Sequence, residues 1–295
     1  MGTISMSRGD ATCPVCGRGE RPAFRQIDNF MYYECNACDF IFIAGGVMAR
    51  IDAGEQIRSY EKAYWESELG TARERAWGPA LARVAEAILY CRVPIKRFID
   101  IGTGPGYILD SLSWVLPSSS ALFHGVELFP PALQYRTRHP NYKVGSLASF
   151  SQPFQCGSCI EVVEHLTPKM LSGMAADLAR VSAEGACYII NTGLTDYVRN
   201  EDIDYVDPLR RGHISIWSAS ALRIIFEPHG FAVYPIPGKS WAVLVEYKYK
   251  PRAQERNITD RIWTPCQENR QILEDPQTGT LMYILGIDTA RAYTG

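Results

Sequence analysis

From Lys96 onward the chain alternates short apolar runs with stretches whose apolar residues recur at helical spacing. The runs "RFIDIG", "ALFHGVEL", "YKVGS", "CGSCIEVV", "ACYIINT", "FAVYPIP" and "WAVLVEYKYK" predict strands. Between them, "GYILDSLSWVL", "PPALQYRTR", "PKMLSGMAADLARV" and "SASALRIIFEPHG" predict helices. Alternation of this kind builds βαβ units, so the expected core is an α/β, Rossmann-like sheet with helices on both faces. Upstream, "GEQIRSYEKAYWESELGTARERAWGPALARVAEAILYC" is rich in Ala, Glu and Arg and predicts one or two helices jointed at Gly78–Pro79. The tail beyond about Pro251 holds helix-compatible pieces without an assigned role. The expected division is a cysteine-marked module (1–45), a helical lid or linker (46–95), the α/β domain (96–250) and a C-terminal extension (251–295).

Composition narrows the class. The 295 residues are 46% hydrophobic and 21% charged, with a net charge of -2, which suits a soluble globular protein. No basic excess is available to drive nucleic-acid binding. No apolar run reaches the roughly 18 residues that span a bilayer, and "MGTISM" has neither a signal-peptide core nor a myristoylation motif. A cytoplasmic address follows as the expectation, and there nine cysteines read as metal ligands and core thiols.

Cys13-x2-Cys16 and Cys35-x2-Cys38 are separated by 18 residues. Two such knuckles match a four-cysteine zinc site whose closed tetrahedron leaves no open position, so the expected zinc is structural. A module this short cannot bury a core unaided, and metal binding would supply its folding energy. The third pair, Cys156-x2-Cys159, lies inside a strand without a helix N-terminus to activate a thiol, and reads as core.

"FIDIGTGPGYILDSL" is strand, then Asp100-x-Gly102-x-Gly104-x-Gly106, then helix. Glycines let a backbone turn tightly and approach a ligand beside a helix N-terminus. Glu127 ends the next strand, 21 residues after Gly106, where a carboxylate can accept from ribose hydroxyls. Tyr107 occupies the last glycine position of a dinucleotide fingerprint, which disfavours nicotinamide and flavin cofactors.

These motifs, "DIGTGPG", then "GVEL", then "CIEVVEHL", resemble class I S-adenosylmethionine-dependent methyltransferases over about residues 55–247. The resemblance implies a mostly parallel sheet with one antiparallel strand. The knuckles before "YECNACDFIFI", with "YEKAYWESE" after them, are similar to the zinc ribbon fused to many bacterial members that modify sugars or other specialised metabolites. By position it implies that Asp100, Gly102 and Gly104 contact the amino-acid end of S-adenosylmethionine. Thr103, Gly106 and Glu161 would join them, Glu127 would hold the ribose, and Leu128 would line the adenine. The family commonly carries an acid after the third strand, where "VGSL" offers Ser146, so its hydroxyl or a backbone carbonyl would serve.

"CIEVVEHL" gathers Glu161, Glu164 and His165 at a strand end, where open α/β sheets bind ligands. Two carboxylates and an imidazole suit a divalent ion such as Mg²⁺, Mn²⁺ or Zn²⁺. Without metal, His165 suits a general base, with Glu164 beside it addressing the acceptor and Glu161 facing the cofactor cleft. A structural reading, with Glu164 favouring a helix start, stays open. "ExxEH" also looks like the metal-binding segment of ubiquinone-pathway O-methyltransferases and of small-RNA 2′-O-methyltransferases, in which a distant histidine completes the site; His213 stands at the matching place.

The leading expectation is O-methylation of a small polyhydroxylated acceptor (a sugar, nucleotide-sugar or glycan) or a phenolic one, with Tyr60, Tyr64 and Trp65 as part of a lid or of a core stripe. Against it stand an RNA methyltransferase that clamps substrate with the arginine-bearing "GRGERPAFR", and a non-enzymatic assembly protein. The expected partner is a small-molecule acceptor. Nucleic acid and membrane are not expected, and a homodimer is left open.

Overall fold

The computed structural model describes residues 12–19, 21–58, 62–249 and 258–274, with residues 279, 283, 284 and 286. The chain opens with β1 (Ala23–Ile27), β2 (Phe30–Cys35) and β3 (Phe40–Ile43), then α1 (Gly45–Asp52), α2 (Lys62–Ala76) and α3 (Pro79–Tyr90). The α/β part follows as β4 (Phe98–Ile101), α4 (Tyr107–Val115), β5 (Phe123–Glu127), β6 (Tyr142–Val144), β7 (Phe154–Ile160), α5 (Pro168–Arg180) and β8 (Ser182–Asn191). It closes with α6 (Thr195–Asn200), β9 (Ser215–Ile216), α7 (Ala219–Phe226), β10 (Phe231–Pro235) and β11 (Ala242–Tyr247), before the short α8 (Asp260–Trp263) and α9 (Gln267–Ile272).

Seven strands form one sheet in the order β10-β11-β8-β7-β4-β5-β6, and β11 alone runs antiparallel to its neighbours. Its central strands are buried on both faces, which is why they read as continuous apolar runs. Order reverses at β4, between β7 and β5, so the carboxyl ends of these strands open the crevice where α/β sheets bind ligands. α3 is buried all round beyond its first residue, and its alanines let it lie close on β7 and β8. The break at Gly78–Pro79 falls where the sequence places it, with α2 ending at Ala76 and α3 starting at Pro79.

One expected helix is absent. "PPALQYRTR" forms only the 3-10 turn Leu133–Tyr135, because Pro130 and Pro131 remove two N–H donors and the chain leaves the turn extended at Arg136. α1 and β9 were not legible as elements in the sequence. β9 crosses to the ribbon and pairs antiparallel with β3, giving the four-stranded order β1-β2-β3-β9. The Cys156–Cys159 pair is core as expected, with both thiols pushed up by burial. The tail pieces 258–274 pack on α3, where the buried Asn269 carboxamide accepts from Ile95 N–H and donates to the Cys91 and Val93 carbonyls. Among the described residues no helix is long and apolar enough to cross a membrane.

Candidate active site

The loop after β4 takes three consecutive left-handed turns, at Gly102 (φ 71°), Gly104 (φ 58°) and Gly106 (φ 81°). A Cβ at Gly102 would stand 2.4 Å from Val162 Cγ2, and one at Gly106 would stand 2.3 Å from Thr137 Cγ2. We expect Gly106→Ala to cost about 3 kcal/mol through backbone strain and overpacking, read by denaturant unfolding, and to abolish cofactor binding. Glu127 holds the loop from across the crevice: its carboxylate accepts Gly104 N–H at 2.8 Å and Phe129 N–H at 2.8 Å. Asp100 is buried below, accepts from Ser158 Oγ at 2.6 Å, and is pushed up to about 6 by burial.

A cavity of about 870 Å³ runs from this loop to the end of β7. Asp100, Gly102, Thr103, Gly104, Glu127, Leu128, Ser146, Glu161 and His165 all line it, whereas Gly106 lies behind the loop as the left-handed cap of α4. The Ser146 hydroxyl is engaged locally, accepting Ala148 N–H at the start of a 3-10 turn. Trp65 lies against Gly104, 3.4 Å from where a Cβ would stand, and Tyr64 carries the Arg58 guanidinium 4.5 Å over its ring. The third aromatic of that expectation, Tyr60, lies outside the described residues.

At the far end of the cavity, β7 ends at Ile160 and Glu161 adopts φ 55°, a strained conformation for a residue with a side chain. That twist sends its carboxylate to Asn191 Nδ2 (3.0 Å) and Tyr205 OH (3.1 Å). The 3-10 turn Val163–His165 then buries Glu164 completely. Neither Glu164 oxygen meets a hydrogen-bond donor in satisfactory geometry among the described residues. Instead Oε1 faces His165 Nε2 at 3.7 Å and His213 Nε2 at 3.9 Å. Both rings are fixed from behind: the His165 Nδ1–H donates to Gly212 O at 3.0 Å, and the His213 Nδ1–H to Tyr205 O at 2.6 Å. Each Nε2 therefore presents a lone pair to the carboxylate.

One ligand atom from each of Glu164, His165 and His213 lies within 4.8 Å of the others. Of the four residues expected there, Glu161 stands outside this trio, held by Asn191 and Tyr205. Burial pushes the Glu161 carboxyl up to about 8, with the Glu164 charge adding to it, and burial pushes Glu164 up to about 7. Burial lowers both histidines, His213 well below the usual range. The corner is thus neutral imidazole beside carboxyls that hold protons near neutral pH. The donor set fits a divalent cation: a desolvated carboxyl with no well-aligned hydrogen bond among the described residues, and two imidazoles whose second nitrogens are tied to backbone carbonyls.

Asn191, Tyr205 and Arg75 of this corner escaped the sequence reading. Tyr205 donates to Glu161, accepts the His213 Nδ1–H on its own carbonyl and sets its ring, tilted by 44°, 4.2 Å from that of His213. Arg75 lines the cavity and opposes the rise of Glu161 with its positive charge. The spacing of Trp65, Glu68, Ala72 and Arg75 on α2 was the available signal, since all four face the cavity. In the ribbon, Cys13 and Cys38 sulfurs are 3.6 Å apart and Cys16 and Cys35 sulfurs 3.5 Å. A tetrahedral zinc thiolate site needs about 3.8 Å, from Zn–S bonds of about 2.3 Å, so the four fit a zinc ribbon.

Residues 69–236, more than half of the chain, match the family described as Methyltransferase domain. The chain belongs to that family and is an S-adenosylmethionine-dependent methyltransferase, as its sheet order, glycine loop and Glu127 position also indicate. No curated protein matches it at a significant level. Among solved structures it is similar to CalS10, an amino pentose methyltransferase from Micromonospora echinaspora involved in calicheamicin biosynthesis, at 17% identity over 64% of this chain and 98% of that one, with a TM-score of 0.46. It is also similar to Streptomyces venezuelae DesVI, at 13% identity over 63% of this chain and 98% of that one, with a TM-score of 0.46. At such scores neither likeness carries information about the acceptor.

Proposed function

We propose that this methyltransferase O-methylates a small phenolic acceptor, with a divalent cation held by Glu164, His165 and His213. The observation that carries the reading is the fully buried Glu164, whose carboxyl faces two neutral Nε2 atoms. Burial makes ionisation of this carboxyl expensive, so it holds its proton near neutral pH, and a cation at that point would take the proton's place. Two imidazoles with one carboxylate suit Mn²⁺ or Zn²⁺ better than Mg²⁺, which prefers an all-oxygen shell. Bound there, the ion would acidify the acceptor hydroxyl. S-adenosylmethionine supplies an already activated methyl group, so the protein's task is to aim and deprotonate the oxygen.

The residues divide that task. Glu127 takes the ribose end, with Gly102 and Gly104 giving backbone access to the amino-acid end and Leu128 and Ser146 bordering the adenine. Glu161, held by Asn191 and Tyr205, faces the space between cofactor and metal. Ile51, Ile57, Leu166, Met170, Met174 and Ile214 are among the lining residues, an apolar share that suits an aromatic ring better than a polyhydroxylated sugar. In the ribbon, Arg25 pairs with Asp204 and Arg21 lies over Tyr33, so two arginines that would clamp RNA are used within the fold. Cys13, Cys16, Cys35 and Cys38 hold a structural zinc in this reading.

The test is methyl transfer to a panel of phenols, catechols and sugars, with the chelated protein reloaded with Mn²⁺ or Zn²⁺. Metal-dependent transfer to phenols supports the reading; transfer indifferent to chelation, or restricted to sugars or RNA, overturns it. Separately, Glu127→Gln should weaken S-adenosylmethionine binding roughly tenfold to a hundredfold in calorimetry, because the charge-assisted bonds to Gly104 N–H and to the ribose are both weakened.

A further inference from the structure

The ribbon is built into the acceptor side of the site. β9, its fourth strand, begins two residues after His213. Tyr32 OH, fully buried on β2, donates to the His213 carbonyl at 2.7 Å, and Ile43 N–H donates to the Ile214 carbonyl at 3.0 Å. The same segment grips the turn that carries the other two members of the trio. Ile214 N–H donates to Glu164 O (2.9 Å), Ser215 Oγ to Leu166 O (2.7 Å) and Trp217 Nε1 to Val163 O (2.8 Å). Trp217 in turn lies 4.5 Å from the Phe40 ring of β3, and Ser218 Oγ donates to the carbonyl of Cys38, one of the four knuckle cysteines. An unbroken chain of bonds and packing thus runs from the cysteine cluster to Glu164, His165 and His213.

We infer that the ribbon is the buttress that sets the positions of His213 and of the Val163–His165 turn, with Tyr32 as the positioning residue. The inference deepens the metal-centre reading, and only its affinity measurement rests on that reading. It gives the ribbon a task inside the catalytic half. The β3 edge that a nucleic acid or partner strand would use is occupied by β9.

Two variants of the full chain decide it. Tyr32→Phe removes the bond to His213 and keeps the ring in the core. Tyr33→Phe alters the next residue on the same strand, which packs on Phe42 and under Arg21 instead. Hydrogen exchange of peptides spanning residues 205–217 should quicken about tenfold in Tyr32→Phe, the factor lost with one ordinary hydrogen bond, and stay as wild type in Tyr33→Phe. Peptides over residues 100–107 should be unchanged in both. Mn²⁺ affinity, by paramagnetic resonance of the free ion, should weaken about tenfold in Tyr32→Phe alone, as when an outer hydrogen bond to a metal ligand is lost. The inference is overturned if the two variants exchange alike over 205–217, whether both match wild type or both loosen with the whole chain. If the wild-type protein binds no Mn²⁺ or Zn²⁺ outside the ribbon, the metal reading fails, and the exchange comparison alone decides the buttress.

Discussion

Glu164→Gln is expected to lower turnover roughly a thousandfold while S-adenosylmethionine affinity stays within about twofold, as single-turnover kinetics and calorimetry would show. The amide keeps the shape of the side chain but removes the carboxylate that faces both His165 Nε2 and His213 Nε2. The glycine loop and Glu127 lie at the other end of the cavity, so the cofactor should not register the change. The pH dependence follows from burial. Glu164 titrates near 7 in the folded protein, and the neutral histidines stay uncharged there, so activity should rise as pH passes about 7. Metal and proton compete for the same carboxylate, so added Mn²⁺ should move that rise to lower pH. A rise that ignores Mn²⁺ would point to metal-free chemistry at this corner instead.

The same groups set a stability trend. Glu161 and Glu164 have folded-state values raised to about 8 and about 7, above the ordinary 4.5. Their contribution is fully present below the ordinary value and is lost as pH rises through 7 and 8. The metal-free protein should therefore melt at progressively lower temperature from pH 5 to pH 8. Glu164→Gln, which cannot ionise, should flatten that slope and raise the melting temperature at pH 8. A wild-type melting temperature that climbs over this range would mean that the carboxyls are not held protonated.

The second large effect belongs to the ribbon. Cys35→Ser should abolish zinc binding at the knuckles and lower the melting temperature by about 10 °C or more, with turnover lost alongside. Cys35 is fully buried and its sulfur is 3.5 Å from that of Cys16, so a serine leaves three thiolates around an incomplete tetrahedron. Because β9 depends on β3 for its pairing, loosening the ribbon should reach His213, while the seven-stranded sheet keeps its own register. Metal content by atomic absorption and differential scanning calorimetry read both effects. Retention of zinc and of the wild-type melting temperature would remove the ribbon from the list of stabilising elements.

What was legible in the sequence was whatever one segment states alone. The glycine loop, Glu127 and the two knuckles are short patterns whose chemistry depends on neighbours a few residues away, and each lies where its motif places it. The alternating apolar runs likewise mark the strands of the sheet, because a strand covered on both faces has to be apolar throughout. The local reading erred at "PPALQYRTR", where apolar spacing suggested a helix and two prolines withheld the N–H donors to build it.

Partnership between distant segments was out of reach. "CIEVVEHL" shows two glutamates and a histidine but not that the positive φ at Glu161 turns that carboxylate toward Asn191 and Tyr205, away from the trio. Nor does it show that Glu164 is left facing two imidazoles, one of them 49 residues further on, at His213. The identities of the donors were set by the sequence by itself. Their convergence was decided only by the tertiary structure, because it depends on the short β9, far from the ribbon in sequence, completing that sheet and carrying His213 with it. Side-chain chemistry is a property of each residue, whereas distance and desolvation belong to the packed chain.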